Sequence, residues 1–108
     1  MEINQSKAKS KAFRHDLAII ASLIAKSTKV LDIGCGDGAL LALLKKQKAV
    51  NGCGLELNPH QVAAALGQGL TVVQGNLDQA LVDYPDDAFD YTVLSQTLQV
   101  TKEPKAVI

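Results

Sequence analysis

Neither sign of charge is in excess in this 108-residue sequence: 11 lysines and arginines face 11 aspartates and glutamates, and the formal net charge is zero. Basic residues gather only at the amino end, at Lys7, Lys9, Lys11 and Arg14. A nucleic-acid partner, which requires a basic face to neutralise phosphates, is therefore not expected. A long apolar run is also missing. The first ten residues, MEINQSKAKS, are polar, and no window reaches the length of a membrane-spanning helix or of a signal sequence's apolar core. The expectation is a soluble, cytoplasmic chain with no membrane partner. Only two cysteines, Cys35 and Cys53, are present, without a CxxC or a histidine-rich cluster. That is too few for a disulfide framework and gives no metal site, so both are expected to be thiols.

What is present is a repeating alternation. The length suits one domain with a real core. Phe13, Leu17, Ile20 and Ile24 recur at three- and four-residue spacing and predict an amphipathic helix over about 11–26. Lys29 to Ile33 (KVLDI) reads as a strand and Ala39 to Lys48 (ALLALLKKQK) as a helix, with lysines in its last turn where they suit the dipole. Between them lie Gly34, Gly36 and Gly38. Gly52 to Leu57 reads as a second strand, and Asn58-Pro59 as the cap and first residue of a helix reaching about Gln68. After Gly69, Leu70 to Gln74 reads as a third strand, Leu77 to Val82 as a short helical turn, and Phe89 to Leu94 as a fourth strand. Strands and helices alternating at this pitch predict a parallel sheet with helices on both faces.

In such sheets ligands bind beyond the carboxyl ends of the strands, where a glycine-rich turn lets bare backbone N–H groups approach an anion at a helix's positive end. One glycine would make the turn; three predict a ligand held close. Gly34-x-Gly36-x-x-Ala39 also fits a dinucleotide fingerprint. The aspartates argue against a pyrophosphate. Asp32 precedes the loop and Asp37 lies inside it, and like charges within a few ångströms disfavour that ligand by on the order of a kcal/mol or more. A ligand carrying an ammonium or sulfonium and no phosphate, such as S-adenosylmethionine (SAM), suits the pair. Glu56, at the end of the second strand, stands where a ribose-binding carboxylate belongs, which fits NAD and SAM equally.

The runs VLDIGCGDG, GLELNP, QGNLD and FDYTVLSQTLQ resemble the class I SAM-dependent methyltransferases. Arg14-x-Asp16-Leu17, Leu77-Asp78 with Ala80-Leu81, and above all LSQTLQ (94–99) narrow the resemblance to the MetW methionine-biosynthesis family, over nearly the whole chain. The resemblance implies a Rossmann-like α/β fold in which Asp32 and the backbone of Gly34, Gly36 and Gly38, with Asp37, hold the methionine end of SAM or of S-adenosylhomocysteine. It implies that Glu56 takes the ribose and Leu57 lies against the adenine. Asn76, where an aspartate is usual, would accept from the adenine amino group through its carbonyl. Leu77 would offer its backbone N–H, and Ser95 or Gln96 would border the methionyl part.

Class I methyltransferases continue with three further strands on the substrate side. Residues 1–108 are therefore expected to be the amino-terminal, SAM-binding part of one methyltransferase-like domain, truncated to about four strands in the order 3-2-1-4. Glu103-Pro104 reads as the start of another helix, and the fourth strand as an uncovered edge. No catalytic residue is visible. The fourth strand lacks the Asn/Asp-Pro-Pro-aromatic run of amino-group methylators, neither cysteine follows a proline, and His15 and His60 read as solvated. Methyl transfer by this chain alone is not expected, because no acceptor would be held in place. Two readings stay open: a SAM-dependent methyltransferase acting on an unidentified small acceptor, and a SAM-binding subunit. The resemblance leans to the subunit, with a homoserine O-acyltransferase as partner.

Overall fold

Val30, Leu31 and Asp32 are consecutive and all buried, the mark of a strand covered on both faces. They make β1 (Lys29–Ile33) the centre of the sheet. The computed structural model describes residues 15–75, 78, 88–95, 99–102 and 106–107. Around β1 stand β2 (Asn51–Glu56), β3 (Val72–Gln74), β4 (Tyr91–Leu94), β5 (Gln99–Lys102) and β6 (Ala106–Val107), with a helix over 15–22 (α1), α2 (Ala39–Lys48) and α3 (Pro59–Gly67). The strand order is 3-2-1-4-5-6. The first four strands are parallel, in the order expected, with Leu31 opposite Cys53 on one side and Thr92 on the other.

The uncovered edge is not found. β5 pairs antiparallel with β4, Val93 opposite Val100, and β6 pairs antiparallel with β5. Val100 is buried in the same cluster as Val93, so the return of the chain both satisfies the outer ladder of β4 and adds to the core. Ala106 and Val107 are strand, not the helix expected after Pro104; residues 103–105 lie outside those described.

Alternation along the strands assigns two faces. Val30, Gly52, Tyr91 and Val93 lie under the helices: Leu17, Ile20 and Ala21 from α1, Ile24 just beyond it, and Leu40 and Leu44 from α2 close the main core. Cys35, Leu41, Val62, Ala65, Leu70 and Val72 form a second core beneath α2 and α3. Here β2 must be bare. A Cβ on Gly52 would meet Leu41 Cδ2 at 2.6 Å, and one on Gly54 would meet Cys35 Sγ at 2.6 Å. The opposite face carries Leu31, Leu55, Ile33, Cys53 and Phe89. Of the expected turn at Leu77 to Val82 only Asp78, which is helical, is among the described residues.

Where boundaries differ from expectation, local hydrogen bonds explain them. α1 ends four residues early because Leu23 and Ile24 donate to carbonyls three residues back and Ser27 adopts φ 59°. Ile24 is buried all the same, its carbonyl accepting from Lys48 Nζ at 2.7 Å. Leu70 does not join β3, since its N–H donates to Ala65 O at the end of α3. Leu57 leaves β2 because the chain turns into the Asn58 cap, whose side chain accepts from the N–H groups of His60 and Gln61.

Candidate functional site

Beyond the carboxyl ends of the parallel strands lies a cavity of about 690 Å³, within the range of small-ligand sites. It is walled by the loop residues Gly34, Cys35, Gly36 and Asp37, by Glu56, Asn58 and Gln61 from the β2–α3 corner, by Ala39 and Leu40 of α2, by Ser95, and by Asp16, Leu17 and Ile20 of α1. β2 and β4 flank β1, so Glu56 and Ser95 stand at opposite ends of the opening.

The loop between β1 and α2 takes its shape from three left-handed residues: Gly34, Gly36 and Gly38 have φ of 73°, 58° and 85°. The turn alone thus uses all three, which corrects the expectation that one would do. A Cβ on Gly38 would strike Leu70 Cδ1 at 2.3 Å, whereas a Cβ on Gly36 would point into open space. Gly38 answers to the core and Gly36 to the cavity.

The amides of this loop are not bare. Gly34 N and Cys35 N both donate to Leu55 O, at 2.7 and 3.2 Å, and Gly38 N donates to Cys35 O at 3.0 Å. Gly36 N donates to Glu56 Oε1 at 2.8 Å, and Ala39 N to Asp37 Oδ1 at 3.2 Å. Five amides of the expected anion cradle are therefore taken by the chain's own acceptors. Asp37 of the loop and Glu56 bring two carboxylates to the cavity lining, a pair that attracts cations and hydroxyl donors.

Glu56 is 8 % exposed. Its second oxygen accepts from Asn58 N at 2.9 Å, so one carboxylate ties the glycine loop to the entry of α3. Each oxygen keeps a lone pair for a further donor. Asp32 does not line the cavity; it lies beneath it, fully buried, with Oδ1 accepting from the Ser95 hydroxyl and Oδ2 without a partner among the described residues. Burial pushes its carboxyl up to about 7, Ser95 opposes the rise, and the neighbouring Glu56 charge adds to it. Cys35 is a buried thiol pushed up to about 12, first by burial and then by Asp32 and Glu56. Cys53 is likewise free of a disulfide.

Of the residues expected from the sequence, Gly34, Gly36, Asp37, Glu56 and Ser95 meet at the cavity, and Asp32 supports it from below. Leu57 is 62 % exposed and outside the lining. Asn76, Leu77 and Gln96 lie outside the described residues. His15 and His60 are exposed and away from the cavity. The sequence does not mark Asp16, Leu17, Ile20, Leu40, Asn58 and Gln61 as lining residues; a polar Asp16 beside the apolar stripe of α1 does not by itself point to a cavity. Among the described residues no group of His, Cys, Asp and Glu could hold a metal ion, and no helix is long and apolar enough to cross a membrane.

Residues 14–108 match the family model described as methionine biosynthesis protein MetW. The chain belongs to the MetW family. The bifunctional methionine biosynthesis protein MetXA/MetW of Rhodopirellula baltica is 32 % identical in an alignment of 91 positions that covers 77 % of this chain and 15 % of that protein. Among solved structures, a chain of the complex containing the Haloferax volcanii Trm112 methyltransferase activator superimposes with a TM-score of 0.67 at 22 % identity, over 84 % of this chain and 42 % of that one. A SAM-dependent methyltransferase from Geobacter sulfurreducens, solved with S-adenosylhomocysteine, superimposes with a TM-score of 0.57 at 23 % identity, over 74 % of this chain and 35 % of that one. The fold of this MetW-family chain is thus the Rossmann-like fold of class I methyltransferases, and the chain spans less than half of each of these relatives.

Proposed function

We propose that this MetW-family chain is a binding subunit of methionine biosynthesis whose cavity takes SAM or S-adenosylhomocysteine. The observation that carries the reading is the donor–acceptor balance of the cavity. Five successive-turn amides, those of residues 34, 35, 36, 38 and 39, are already engaged within the chain, while Asp16, Asp37 and Glu56 face the space. A pyrophosphate would meet these carboxylates with most of the loop's amides already engaged within the chain. A ligand with an ammonium, a sulfonium and ribose hydroxyls meets acceptors at Asp16, Asp37 and Glu56. Beneath the cavity, the buried Oδ2 of Asp32 has no partner among the described residues.

In this reading Glu56 accepts from the ribose hydroxyls, the Gly34 and Gly36 carbonyls and Ser95 border the methionine end, and Asp32 supplies negative charge from beneath. SAM, when bound, brings an electrophilic methyl group. The chain's own residues orient it, and neither His15 nor His60 is at the cavity to move a proton, which favours the subunit over the methyltransferase acting on a small acceptor. A homoserine O-acyltransferase is the proposed partner, supported by the relative that joins MetXA and MetW in one bifunctional chain.

Titration calorimetry with SAM, S-adenosylhomocysteine and NAD tests the cofactor; binding of the first two and not the third is expected, and equal affinity for NAD overturns it. Copurification of the acyltransferase with the tagged, natively expressed protein tests the partner, and its absence from the purified material overturns that part.

A further inference from the structure

α1 lies across the sheet with its two ends in different surroundings. Just beyond its carboxyl end, Ala25 N donates to the Tyr91 hydroxyl at 3.3 Å, at the start of β4. Its early turns lie on the same face at the carboxyl ends of the strands, where Asp16, Leu17 and Ile20 line the cavity. Leu17 and Ile20 are buried in the same cluster as Tyr91 and Val93, so α1 sits over the β4 side, the end of the cavity marked by Ser95.

Among the described residues, the four carboxylates in or beneath the cavity differ in what they have left to give. Glu56 accepts backbone N–H groups on both oxygens. Asp32 is sealed, with one oxygen on the Ser95 hydroxyl. Asp37 is exposed and accepts from Ala39 N, at the first residue of α2. Asp16 accepts from no described residue, is half-buried, and has Leu17, Ile20 and Leu40 as cavity neighbours. A carboxylate beside apolar side chains is poorly screened and attracts a cation more strongly than an exposed one.

We propose that Asp16 is the specificity-determining residue for the amino-acid end of the ligand, accepting from its ammonium group at the Ser95 end of the cavity while Glu56 holds the ribose at the other. This rests on the reading of the cavity as a SAM or S-adenosylhomocysteine site. It assigns to α1, which contributes nothing to the sheet, the choice between ligands that carry the ammonium and those that do not.

Calorimetry on the full chain and on its Asp16→Asn variant, with S-adenosylhomocysteine and with 5′-methylthioadenosine, which lacks the amino-acid part, tests the assignment. The variant should bind S-adenosylhomocysteine at least about tenfold more weakly, the effect of one hydrogen bond between charged partners, and 5′-methylthioadenosine within about twofold of the parent. Unchanged affinity for S-adenosylhomocysteine overturns the assignment. Equal losses for both ligands also overturn it, by showing that Asp16 only holds α1 in place. A parent chain that binds neither ligand fails earlier and overturns the cofactor reading itself, together with this one.

Discussion

Glu56 Oε1 accepts from the Gly36 N–H at 2.8 Å, across twenty residues of chain and two turns of the fold. With Oε2 on Asn58 N, the carboxylate fastens the glycine loop to the start of α3 before any ligand arrives. Glu56→Ala should therefore destabilise the ligand-free protein by about 1–3 kcal/mol, the range for hydrogen bonds to a charged group. Glu56→Gln, which keeps one acceptor and turns a donor toward the other N–H, should fall between alanine and the parent. Urea unfolding without ligand measures the series. Three equal stabilities would show that the carboxylate serves the ligand alone.

Gly36 and Gly38 share a left-handed backbone but not their surroundings, so alanine should separate two roles. Gly38→Ala brings a Cβ within 2.3 Å of Leu70 Cδ1 and 3.3 Å of Ala65 Cβ, and overpacking on top of strain should lower stability by about 2–4 kcal/mol. Gly36→Ala meets no atom within 4 Å and should cost only about 1 kcal/mol of backbone strain, with ligand affinity lost because the Cβ points into the cavity. Thermal melting and calorimetry on both variants check the contrast. Equal destabilisation with affinity retained at Gly36 would contradict it.

Regular spacing made most of the fold legible in the sequence. Burial of KVLDI, the Asn58-Pro59 cap and the lysines ending α2 gave elements within a residue or two of those observed. The antiparallel return escaped because Gln99 to Lys102 is short and its apolar content is one residue, Val100, whose burial depends on a partner strand no local pattern announces. At the site, residues adjacent to the glycines were legible from motif spacing alone. Asp16 was not, because its place at the cavity follows from how α1 crosses the sheet. The engagement of the loop amides by Leu55 O and Glu56 is likewise a tertiary fact: glycine spacing speaks for the bend of the backbone, not for what its N–H groups meet.

Asp32 should make stability depend on pH in the sense opposite to a salt-bridged aspartate. Its carboxyl is raised from 3.8 to about 7 in the folded chain, chiefly by burial. Between those values the folded state binds the proton more tightly than the unfolded one. The favourable contribution is complete below about 4 and is lost as pH rises through about 7. Melting temperature should therefore fall between pH 5 and pH 8, and Asp32→Asn, which keeps an uncharged side chain beside Ser95, should flatten that slope. A parent slope unchanged in the variant would place the titration elsewhere.

Cys35 should be inert where a loop thiol at a helix start would ordinarily be reactive. Two features act against ionisation: the side chain is packed against β2, where a Cβ on Gly54 would come within 2.6 Å of its Sγ, and the charges of Asp32 and Glu56 oppose a thiolate. With the thiol pushed up to about 12, the thiolate fraction at pH 8 is about 10⁻⁴, and the thiolate is the nucleophile. Iodoacetamide at pH 8, followed by peptide mass spectrometry, should leave Cys35 almost unmodified in the folded chain and alkylate it readily in urea. Asp32→Asn removes one of the opposing charges and should speed the folded-state reaction, but only modestly, because burial is the larger cause and survives the substitution. Labelling of Cys35 in the folded parent as fast as in urea would mean that the loop opens from β2 on the timescale of the reaction, and the closed hydrogen-bonded loop that defines the cavity would then be only one of its states.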